Sequence, residues 1–479
     1  MRLPPISTGA TRRRHEPEAS PYPWWLADAE PDDACPAYVG DTATDVAIVG
    51  GGFTGLWTAL ALKQRSPETD VVVLEAATCG WAASGRNGGS VHGYWSAWPK
   101  LPALVGEAAA LEMSAMGSEA QEAIGDFCRT SPTETQWHED GFAMVATSAA
   151  QEQQLDSVLR CAEAMPDAYR PRAIARDDLW GLTRNPAIGR GLLFPEGATV
   201  QPARLVRALK QACVAAGVRV HESSTVDEID TENTAVQTST GRLRARDIVL
   251  ATNAWMSSIR PIVKHTTNLS SHVAVTEPMP DVVSELNWPR GRMVRDARMF
   301  LNWVRTTADD RFIVGTGAGP LSAGGRVIRS HARHRRTVRG VMEALATFVP
   351  QAAHARFEAA WGGAIDLSSD NCPYFATLQG TRIHYGTGYS GHGVNAAWIG
   401  GQALASLASG VQDRWTTSAF CARRRPVLPP EPVRYLGGAL VRRHTIALED
   451  AYDQERTPST QTRIVAALPR LLGIRVGVR

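Results

Sequence analysis

The glycine-rich run Gly50-Gly-Gly-Phe-Thr-Gly55 is the feature that most limits how this chain can fold. It follows a short, almost wholly apolar run at 45–49, and the pattern of 54–64 after it is helical. A second apolar run, 70–74, comes next and ends at Glu75. Such runs are typical of strands that are covered on both faces of a parallel sheet. The sequence therefore predicts an early βαβ unit.

Each glycine of this G-x-G-x-x-G pattern has its own physical task. Gly50 permits the tight turn, Gly52 lets the backbone approach a pyrophosphate, and Gly55 allows close packing of the helix on the sheet. The free N–H groups at the helix N-terminus favour phosphate charge. Glu75, at the end of the second strand, is placed to bind a pair of ribose hydroxyls. The unit predicts a dinucleotide site but does not distinguish FAD from NAD.

Length and composition exclude several classes of protein. The 479 residues are 44% hydrophobic and 20% charged, which excludes wholesale disorder and allows more than one core. The formal net charge of +2 gives no overall field that would attract nucleic acid or anionic lipid. No apolar run approaches the roughly 18 residues that a membrane span needs. We expect a protein with several cores and without a membrane span.

Cysteine usage and the first residues of the chain bear on the compartment. The seven cysteines are scattered and form no C-x-x-C pair, which favours reduced thiols over disulfides or a metal site. The basic residues 12–14 lead into a polar stretch rather than the apolar core of an export signal. The sequence therefore predicts a cytoplasmic protein that holds no metal.

Three further stretches have the composition of cofactor-binding loops. Gly80–Gly89 is rich in glycine and contains Arg86, whose charge suits phosphate. Ala251–Trp255 ends an apolar strand in small and polar residues, at the sheet edge where ligands of such folds collect. Gly388–Gly393 precedes a helix whose N-terminus would stabilise negative charge on a bound group. Each stretch is also compatible with an ordinary turn.

Together these four motifs resemble the D-amino-acid-oxidase-like superfamily of FAD-dependent amine oxidoreductases, nearest to its γ-glutamylputrescine oxidoreductase branch. The resemblance extends over most of the chain. It implies an α/β fold with a discontinuous, Rossmann-like FAD-binding domain and an inserted α+β substrate-binding domain. The expected FAD-binding domain comprises 41–99, 196–265 and 355–420, and the substrate domain 100–195 and 266–354. An N-terminal arm (1–40), pinned by its aromatic residues, and a basic helical segment (421–479) complete the chain.

The resemblance also assigns residues to the site. The substrate pocket is expected to be lined by Trp303, Trp361, Asp366 and Asn395, and we place His392, Trp361 and Asn395 at the catalytic position. A lone histidine such as His392 is more often satisfied by a hydrogen bond to nearby backbone, and each Trp is equally compatible with a place in the core. The residues assigned to the cofactor are Gly50, Gly52, Phe53, Thr54, Gly55, Glu75, Ala76, Ala83, Ser84, Arg86, Asn87, Gly88, Gly89, Val226, Thr252, Asn253, Trp255, Cys372, Gly388, Ser390, Gly391, His392, Gly393 and Val394.

Three positions are compared with sarcosine oxidase, a more distant member of the superfamily; two depart from it and one matches. Asn395 stands where that enzyme has a lysine that grips the substrate carboxylate, which disfavours a small α-amino acid. Ile313 stands where it has the lysine that activates oxygen, so oxygen and another electron acceptor both stay open. Cys372 matches the cysteine that it joins to the flavin, so a thioether is one expectation; an ordinary buried cysteine is the other.

The activity implied is oxidation of a C–N bond in an amine or amino acid derivative. Hydride passes to flavin N5 and the imine is then hydrolysed, so the protein supplies orientation and water exclusion rather than a dedicated acid or base. A flavoprotein hydroxylase that uses NAD(P)H and a non-catalytic flavin-binding subunit are the alternatives. The expected partners are a small amine and oxygen or another acceptor. The arginines of 326–339 are interpreted as a solvated helix face, with attraction of an acidic substrate or nucleic acid as the alternative. The basic segment 421–479 is compatible with docking on a membrane surface or a partner, but we expect Leu468, Leu471, Leu472 and Ile474 to pack on the body.

Overall fold

The computed structural model describes residues 22–29, 33–471 and 473–474. Its strands are β1 (Thr42–Val49), β2 (Val71–Leu74), β3 (Ser90–Val91), β4 (His138–Glu139), β5 (Phe142–Ala146), β6 (Arg172–Ala173), β7 (Arg190–Phe194), β8 (Ala198–Thr199), β9 (Arg219–His221), β10 (Val226–Asp230), β11 (Ala235–Thr238), β12 (Gly241–Leu250), β13 (Thr266–Thr276), β14 (Met293–Asp296), β15 (Asn302–Thr306), β16 (Phe312–Thr316), β17 (Phe357–Ser368), β18 (Tyr374–Thr377) and β19 (Ile383–Thr387). Its helices are α1 (Trp24–Asp28), α2 (Phe53–Arg65), α3 (Leu101–Val105), α4 (Glu107–Thr130), α5 (Ala149–Ala162), α6 (Arg176–Thr183), α7 (Pro202–Ala215), α8 (Pro280–Glu285), α9 (Arg329–Ala332), α10 (Arg335–Phe348), α11 (Gly393–Ala408), α12 (Arg414–Thr417), α13 (Ala419–Ala422), α14 (Val433–Asp453) and α15 (Thr460–Leu471).

The first sheet has a parallel centre. β9, β2, β1, β12 and β19 lie side by side in that order, all parallel, and their carboxyl ends meet at one edge. β10, β11 and β18 extend the sheet in antiparallel pairings. The βαβ unit predicted from the glycine motif is present as β1, α2 and β2. Helix α2 packs against both α7 and α11 over this sheet. All four residues of β2 are buried, as expected for a doubly covered strand.

The second sheet follows the order β17-β13-β16-β15-β14-β5-β7-β6 and is antiparallel except for the β14–β5 pair. Helix α10 packs against β13, β15 and β16 through Val338, Val341 and Leu345. A small third sheet, β3-β8-β4, lies between segments of both predicted domains. The α/β class with a Rossmann-like sheet and a second, separate sheet is confirmed.

Two sequence assignments differ from the structure. The predicted domain boundary at 355 places β17 in the FAD-binding domain, whereas β17 pairs along its whole length with β13 of the second sheet. The single strand expected over 136–147 is two strands, because Gly141 has a left-handed φ of +65° that breaks the run between β4 and β5. The other predicted domain limits stay predictions.

The chain ends differ in how they pack. Trp25 of α1 is 1% exposed, so an aromatic side chain anchors the N-terminal arm, as expected. Residues 24–28 of the arm form a short helix, whereas residues 33–40 are irregular. At the other end, Leu468 and Leu471 are 37% and 78% exposed, so the expectation that they pack on the body is wrong. They occupy the outer face of α15, while its inner face contacts α14. Leu472 lies outside the described residues, and Ile474 is half-buried.

A buried ion pair fixes the chain that leads into the first sheet. Lys210 of α7 and Glu222, which follows β9, are almost inaccessible, and Lys210 Nζ lies 3.4 Å from Glu222 Oε1. The same carboxylate accepts hydrogen bonds from the backbone N–H groups of Cys35 (2.8 Å) and Cys79 (2.7 Å). The buried Glu222 carboxylate therefore connects three elements, which are the N-terminal segment, helix α7 and the loop that follows β2.

We expect Lys210→Met to lower the free energy of unfolding by about 3 kcal/mol, because it leaves the Glu222 carboxylate buried without its cation. Urea unfolding followed by circular dichroism measures this. The control is Arg129→Met, which breaks the exposed Arg129–Glu139 pair (2.8 Å) and is expected to cost about 1 kcal/mol or less. Equal losses in the two variants would contradict the role given to the buried pair.

Candidate functional site

A cavity of about 920 Å³ lies between the carboxyl edge of the first sheet and the second sheet. One wall is made by the residues that follow β1, β2 and β12, together with the turn between β19 and α11. The facing wall comes from β14, β15 and β17 of the second sheet. The cavity thus lies where ligands collect in open parallel sheets.

The glycines at one end of the cavity are required by close contacts. A Cβ on Gly50 would lie 2.6 Å from the carbonyl oxygen of Ala251, and one on Gly55 would lie 2.0 Å from that of Gly50. Gly50 also has a left-handed φ of +112°. A Cβ on Gly52 would lie 2.8 Å from Ser84 Oγ, which accepts a hydrogen bond from the N–H of Phe53. The first turn therefore brings bare backbone to the cavity, next to the N-terminus of α2.

Glu75 lies at the same end, where β2 stops. Its Oε2 accepts a hydrogen bond from the N–H of Gly51 (2.8 Å) and its Oε1 one from that of Ala77 (2.9 Å). Burial raises the pKa of its carboxyl above the usual value, and the two backbone N–H groups oppose that rise. The carboxylate is held rigidly at the cavity, in position to accept further hydrogen bonds from a ligand.

Two tryptophans hold the loop that follows β2 through hydrogen bonds to its backbone carbonyls. Arg86 donates through Nε to the carbonyl of Trp81 (2.8 Å) and through a terminal nitrogen to that of Gly362 (3.2 Å). The indole N–H of Trp361 donates to the carbonyl of Arg86 (2.9 Å), and that of Trp25 donates to the carbonyl of Asn87 (2.9 Å). The loop is therefore positioned by the second sheet and by the N-terminal segment.

A buried carboxylate holds the opposite end of the cavity. Asp366 of β17 accepts hydrogen bonds from the N–H groups of Gly388 (2.5 Å) and Tyr389 (3.2 Å), from Thr387 Oγ1 (3.0 Å) and from Asn253 Nδ2 (3.0 Å). Burial raises the pKa of Asp366 to about 7, and the backbone N–H of Gly388 works against this rise. A side chain of the second sheet thus fixes two loops of the first.

The wall between the two ends is aromatic and basic. The rings of His92 and His392 lie 5.2 Å apart, and His92 and Arg295 both pack against the ring of Phe142. Burial, together with the positive charge of Arg295, lowers the pKa of His92 to about 4. Burial, followed by the effects of His92 and Arg295, lowers that of His392 to about 3. Both imidazoles are therefore neutral near pH 7.

Most of the residues predicted for the site line this cavity. They are Gly50, Gly52, Phe53, Thr54, Glu75, Ala76, Ala83, Ser84, Arg86, Asn87, Gly88, Val226, Thr252, Asn253, Trp255, Trp303, Asp366, Gly391, His392, Gly393 and Val394. Five residues assigned to the cofactor do not line it, namely Gly55, Gly89, Cys372, Gly388 and Ser390. Of these, Gly55, Gly89 and Gly388 act through the close backbone packing that they permit.

Two of the three residues predicted as catalytic lie outside the cavity. Trp361 is fully buried in the core beside Trp25, and its hydrogen bond to the Arg86 carbonyl makes it a positioning residue. Asn395 is 2% exposed and donates through Nδ2 to the carbonyl of Gly117 (2.8 Å). The assignment of these two side chains to the catalytic position is wrong, since both point into the protein body. Ile313 is likewise fully buried in the core.

Cys372 lies in a buried segment beside the site. Its side chain is 6% exposed and belongs to the core of the first sheet. Its carbonyl accepts a hydrogen bond from Arg423 (2.8 Å), which also pairs with Asp370 (2.7 Å). These bonds fix the segment against α13 rather than against the cavity.

The sequence interpretation missed several residues of the cavity wall. The hydroxyl of Tyr389 forms a hydrogen bond with Thr54 Oγ1 (2.6 Å). Tyr389 lies within the 388–393 motif, so the sequence could have identified it. Met293 and Arg295 share one face of β14, as alternate residues of a strand must, but nothing in the sequence shows which face that is. His92 and Phe142 join the wall only through the pairing of distant segments. Among the described residues, no cluster of three His, Cys, Asp or Glu side chains is arranged to hold a metal ion.

The residues of the cavity fit FAD. Bare backbone and a helix N-terminus at Gly52 suit a pyrophosphate, Glu75 suits ribose hydroxyls, and Arg86 adds positive charge near the same loop. At the other end, α11 begins at Gly393 on the cavity, so its N-terminal dipole favours a group that gains negative charge. The cavity connects these two ends without a break, as an extended dinucleotide requires.

No helix among the described residues combines the length and apolar composition that crossing a membrane requires.

Known proteins resemble this chain in sequence and in fold. γ-Glutamylputrescine oxidoreductase of Escherichia coli is 28% identical over 382 residues, which cover 78% of this chain and 86% of that protein. The probable oxidoreductase OrdL of Haemophilus influenzae is 27% identical over 384 residues, covering 77% and 84%. Glycine oxidase of Bacillus cereus has a similar fold, with a TM-score of 0.65 at 17% identity over 80% of this chain and 99% of that one.

The model of the family described as FAD dependent oxidoreductase (DAO) matches residues 45–407, from the first strand of the glycine motif to the end of the last cavity helix. That match covers every loop that lines the cavity. The chain belongs to the DAO family of FAD-dependent oxidoreductases.

Proposed function

We propose that this protein oxidises a C–N bond of an amine or amino acid derivative and releases an imine that water hydrolyses. The observation that carries the proposal is that one continuous cavity joins a dinucleotide cradle to an aromatic wall from a second sheet. The names of similar proteins support it, since they include a γ-glutamylputrescine oxidoreductase, a glycine oxidase and an iminodiacetate oxidase.

FAD would be held along the cavity, with Gly50, Gly52, Ser84 and Arg86 at the pyrophosphate and Glu75 at the ribose. Asn253, Asp366 and the turn 388–393 would form the end nearest to the reacting ring. When bound, FAD accepts a hydride from the substrate carbon. This chain orients the substrate and excludes water from it.

The substrate would lie against Phe142, Met293 and Trp303. These side chains make the wall apolar, which favours an amine that has lost its proton before it reacts. The two cavity histidines have pKa values of about 4 and 3, too low for either to serve as a general base near pH 7. His392 is therefore proposed as a contact residue of the site rather than as a proton acceptor.

The acceptor that takes electrons from the reduced protein is proposed as oxygen or another oxidant. Ile313 stands where sarcosine oxidase has its oxygen-activating lysine. The side chain of Ile313 carries no positive charge. The cytoplasmic location stays a prediction from the sequence.

Anaerobic mixing of the FAD-loaded protein with primary, secondary and acylated amines tests the proposal. We expect at least one amine to bleach the visible flavin absorption, while NADPH leaves it unchanged. Bleaching by NADPH alone would favour the hydroxylase alternative. An absorption that no amine and no pyridine nucleotide changes would favour a non-catalytic subunit.

Asp366→Asn is expected to weaken FAD binding about tenfold, because an amide N–H₂ replaces an oxygen that accepts backbone hydrogen bonds from the turn. Titration of FAD into apoprotein, followed by quenching of flavin fluorescence, measures the change. Asp247→Asn is the matched control. Asp247 is a similarly buried aspartate (1% exposed) on β12 of the first sheet, and it pairs with Arg382 and His384 away from the cavity. Equal FAD affinities in the two variants would contradict the role of Asp366.

We propose that FAD is held without a covalent bond, because Cys372 lies among core residues and does not line the cavity. Acid denaturation is therefore expected to leave a colourless precipitate and a yellow supernatant. A yellow precipitate from the wild type that becomes colourless in Cys372→Ala would instead establish the thioether that the resemblance suggests.

A further inference from the structure

Helices α14 and α15 form a hairpin at the surface of the protein. The short segment 454–459 joins them, and Nδ1 of His444 on α14 lies 3.3 Å from Oγ1 of Thr462 on α15. The match to the family ends at residue 407, before the hairpin begins. The hairpin is therefore not part of the fold that the family defines.

The outer side of the hairpin carries exposed aliphatic side chains. On α15, Ile464, Leu468 and Leu471 are all exposed. Side chains three and four residues apart lie on the same side of a helix, so these three form one stripe. On α14, Leu436 and Leu440 have the same spacing and are exposed as well. Exposed apolar surface that is grouped in this way marks an interaction site.

The two apolar runs lie at the same end of the hairpin. Because a short connection joins two helices that pack against each other, the helices run in opposite directions. Nine residues from the His444–Thr462 contact, α15 reaches Leu471 and α14 reaches Tyr435. Both helices rise equally per residue, so the exposed leucines of α15 are level with those of α14.

The charge of this part of the hairpin is positive. Residues 433–448 and 460–471 contain five arginines and no Asp or Glu. Arg443, Arg463 and Arg470 are exposed, and none of these three pairs with a carboxylate in the part of the chain that the structure describes. Arg463 and Arg470 are seven residues apart and form a row beside the apolar stripe of α15. The face thus combines aliphatic side chains with unpaired positive charge.

An anionic lipid bilayer matches this combination. Amphipathic helices with basic residues lie in the plane of such a surface, with the aliphatic side chains below the headgroups and the arginines among the phosphates. A second copy of the chain matches less well, because a two-fold dimer would bring the same arginines together. The formal net charge of the whole chain is only +2, so the attraction would come from this face and not from the overall charge.

We propose that the α14–α15 hairpin docks the protein on an anionic lipid bilayer without crossing it. This inference goes beyond the proposed reaction and does not depend on it. The inner side of α14 is bonded to the second sheet, since Glu449 Oε1 accepts from Met299 N (2.5 Å) and Asp450 Oδ1 lies 3.1 Å from Arg298. These two partners lie between β14 and β15, so a docked hairpin would hold that wall of the cavity in a fixed position relative to the bilayer.

Co-sedimentation of the FAD-loaded protein with lipid vesicles tests the inference. One set of vesicles contains equal parts of phosphatidylglycerol and phosphatidylcholine, and the other contains phosphatidylcholine alone. We expect at least about tenfold stronger partitioning onto the anionic vesicles, because each arginine near such a surface contributes about fivefold. Added salt is expected to weaken the binding, because it screens exposed charges.

Two double variants separate the contributions of charge and apolar contact. Arg463→Gln with Arg470→Gln is expected to lower partitioning onto anionic vesicles at least about tenfold. Leu468→Asn with Leu471→Asn is expected to lower it by a similar factor, because less apolar surface enters the bilayer. All four side chains are exposed, so circular dichroism and flavin content should match those of the wild type.

The matched controls are Arg172→Gln on β6 and Leu111→Asn on α4, which remove the same groups from exposed positions away from the hairpin and should leave vesicle binding unchanged. Absent binding, equal binding to both sets of vesicles, or full binding by either double variant would overturn the inference. So would losses in the controls as large as those in the variants.

Analytical ultracentrifugation without lipid tests the other occupant. A dimer that forms in the wild type and is abolished by Leu468→Asn with Leu471→Asn would assign the face to a second copy and overturn the inference. We expect no such dimer. Selective binding to anionic vesicles by a protein that no amine reduces would support the docking surface and contradict only the proposed reaction.

Discussion

The hydrogen bonds of the Asp366 carboxylate connect the two sheets at the point where the chemistry would occur. Asp366 belongs to β17 of the second sheet, but its bonds go to Asn253 and to the turn 388–389, which both follow strands of the first. A carboxylate with several aligned donors is geometrically demanding, because each donor left without an acceptor in the interior costs free energy. At this end of the cavity, the two sheets are therefore held together by the hydrogen bonds of one side chain in addition to apolar packing.

At the other end of the cavity, tryptophan side chains rather than a carboxylate make the connecting hydrogen bonds. Trp361 of the second sheet and Trp25 of the N-terminal segment donate to successive carbonyls of the loop that contains Arg86. Their rings lie 6.5 Å apart in an edge-on arrangement within one apolar cluster. The cofactor loop is thus attached to elements far from it in sequence, and a dinucleotide in the cavity would contact surfaces that both sheets position.

The features that sequence could predict are those set by local geometry. The glycine turn was predictable because the tasks of Gly50, Gly52 and Gly55 depend only on residues within one βαβ unit and its neighbouring strand. Trp361 and Asn395 were assigned wrongly because a linear motif does not show which way a side chain points. Trp361 faces the core and Asn395 faces α4. Arg295 was missed for the opposite reason. It lies in an ordinary strand without a motif, and only the pairing of β14 with β15 and β5 places it beside Phe142 and Trp303.

The distribution of charge in the cavity follows from burial. Desolvation keeps both histidines uncharged and raises the pKa of Asp366 to about 7. The guanidinium of Arg295 nevertheless keeps its proton, because the pKa of a free arginine is far above 7. The strongest fixed charge on the proposed substrate wall is therefore positive. A buried charge is screened far less than one at the surface, so the polarity of this wall depends on a few side chains of the second sheet. The proposed cofactor cradle belongs to the first sheet.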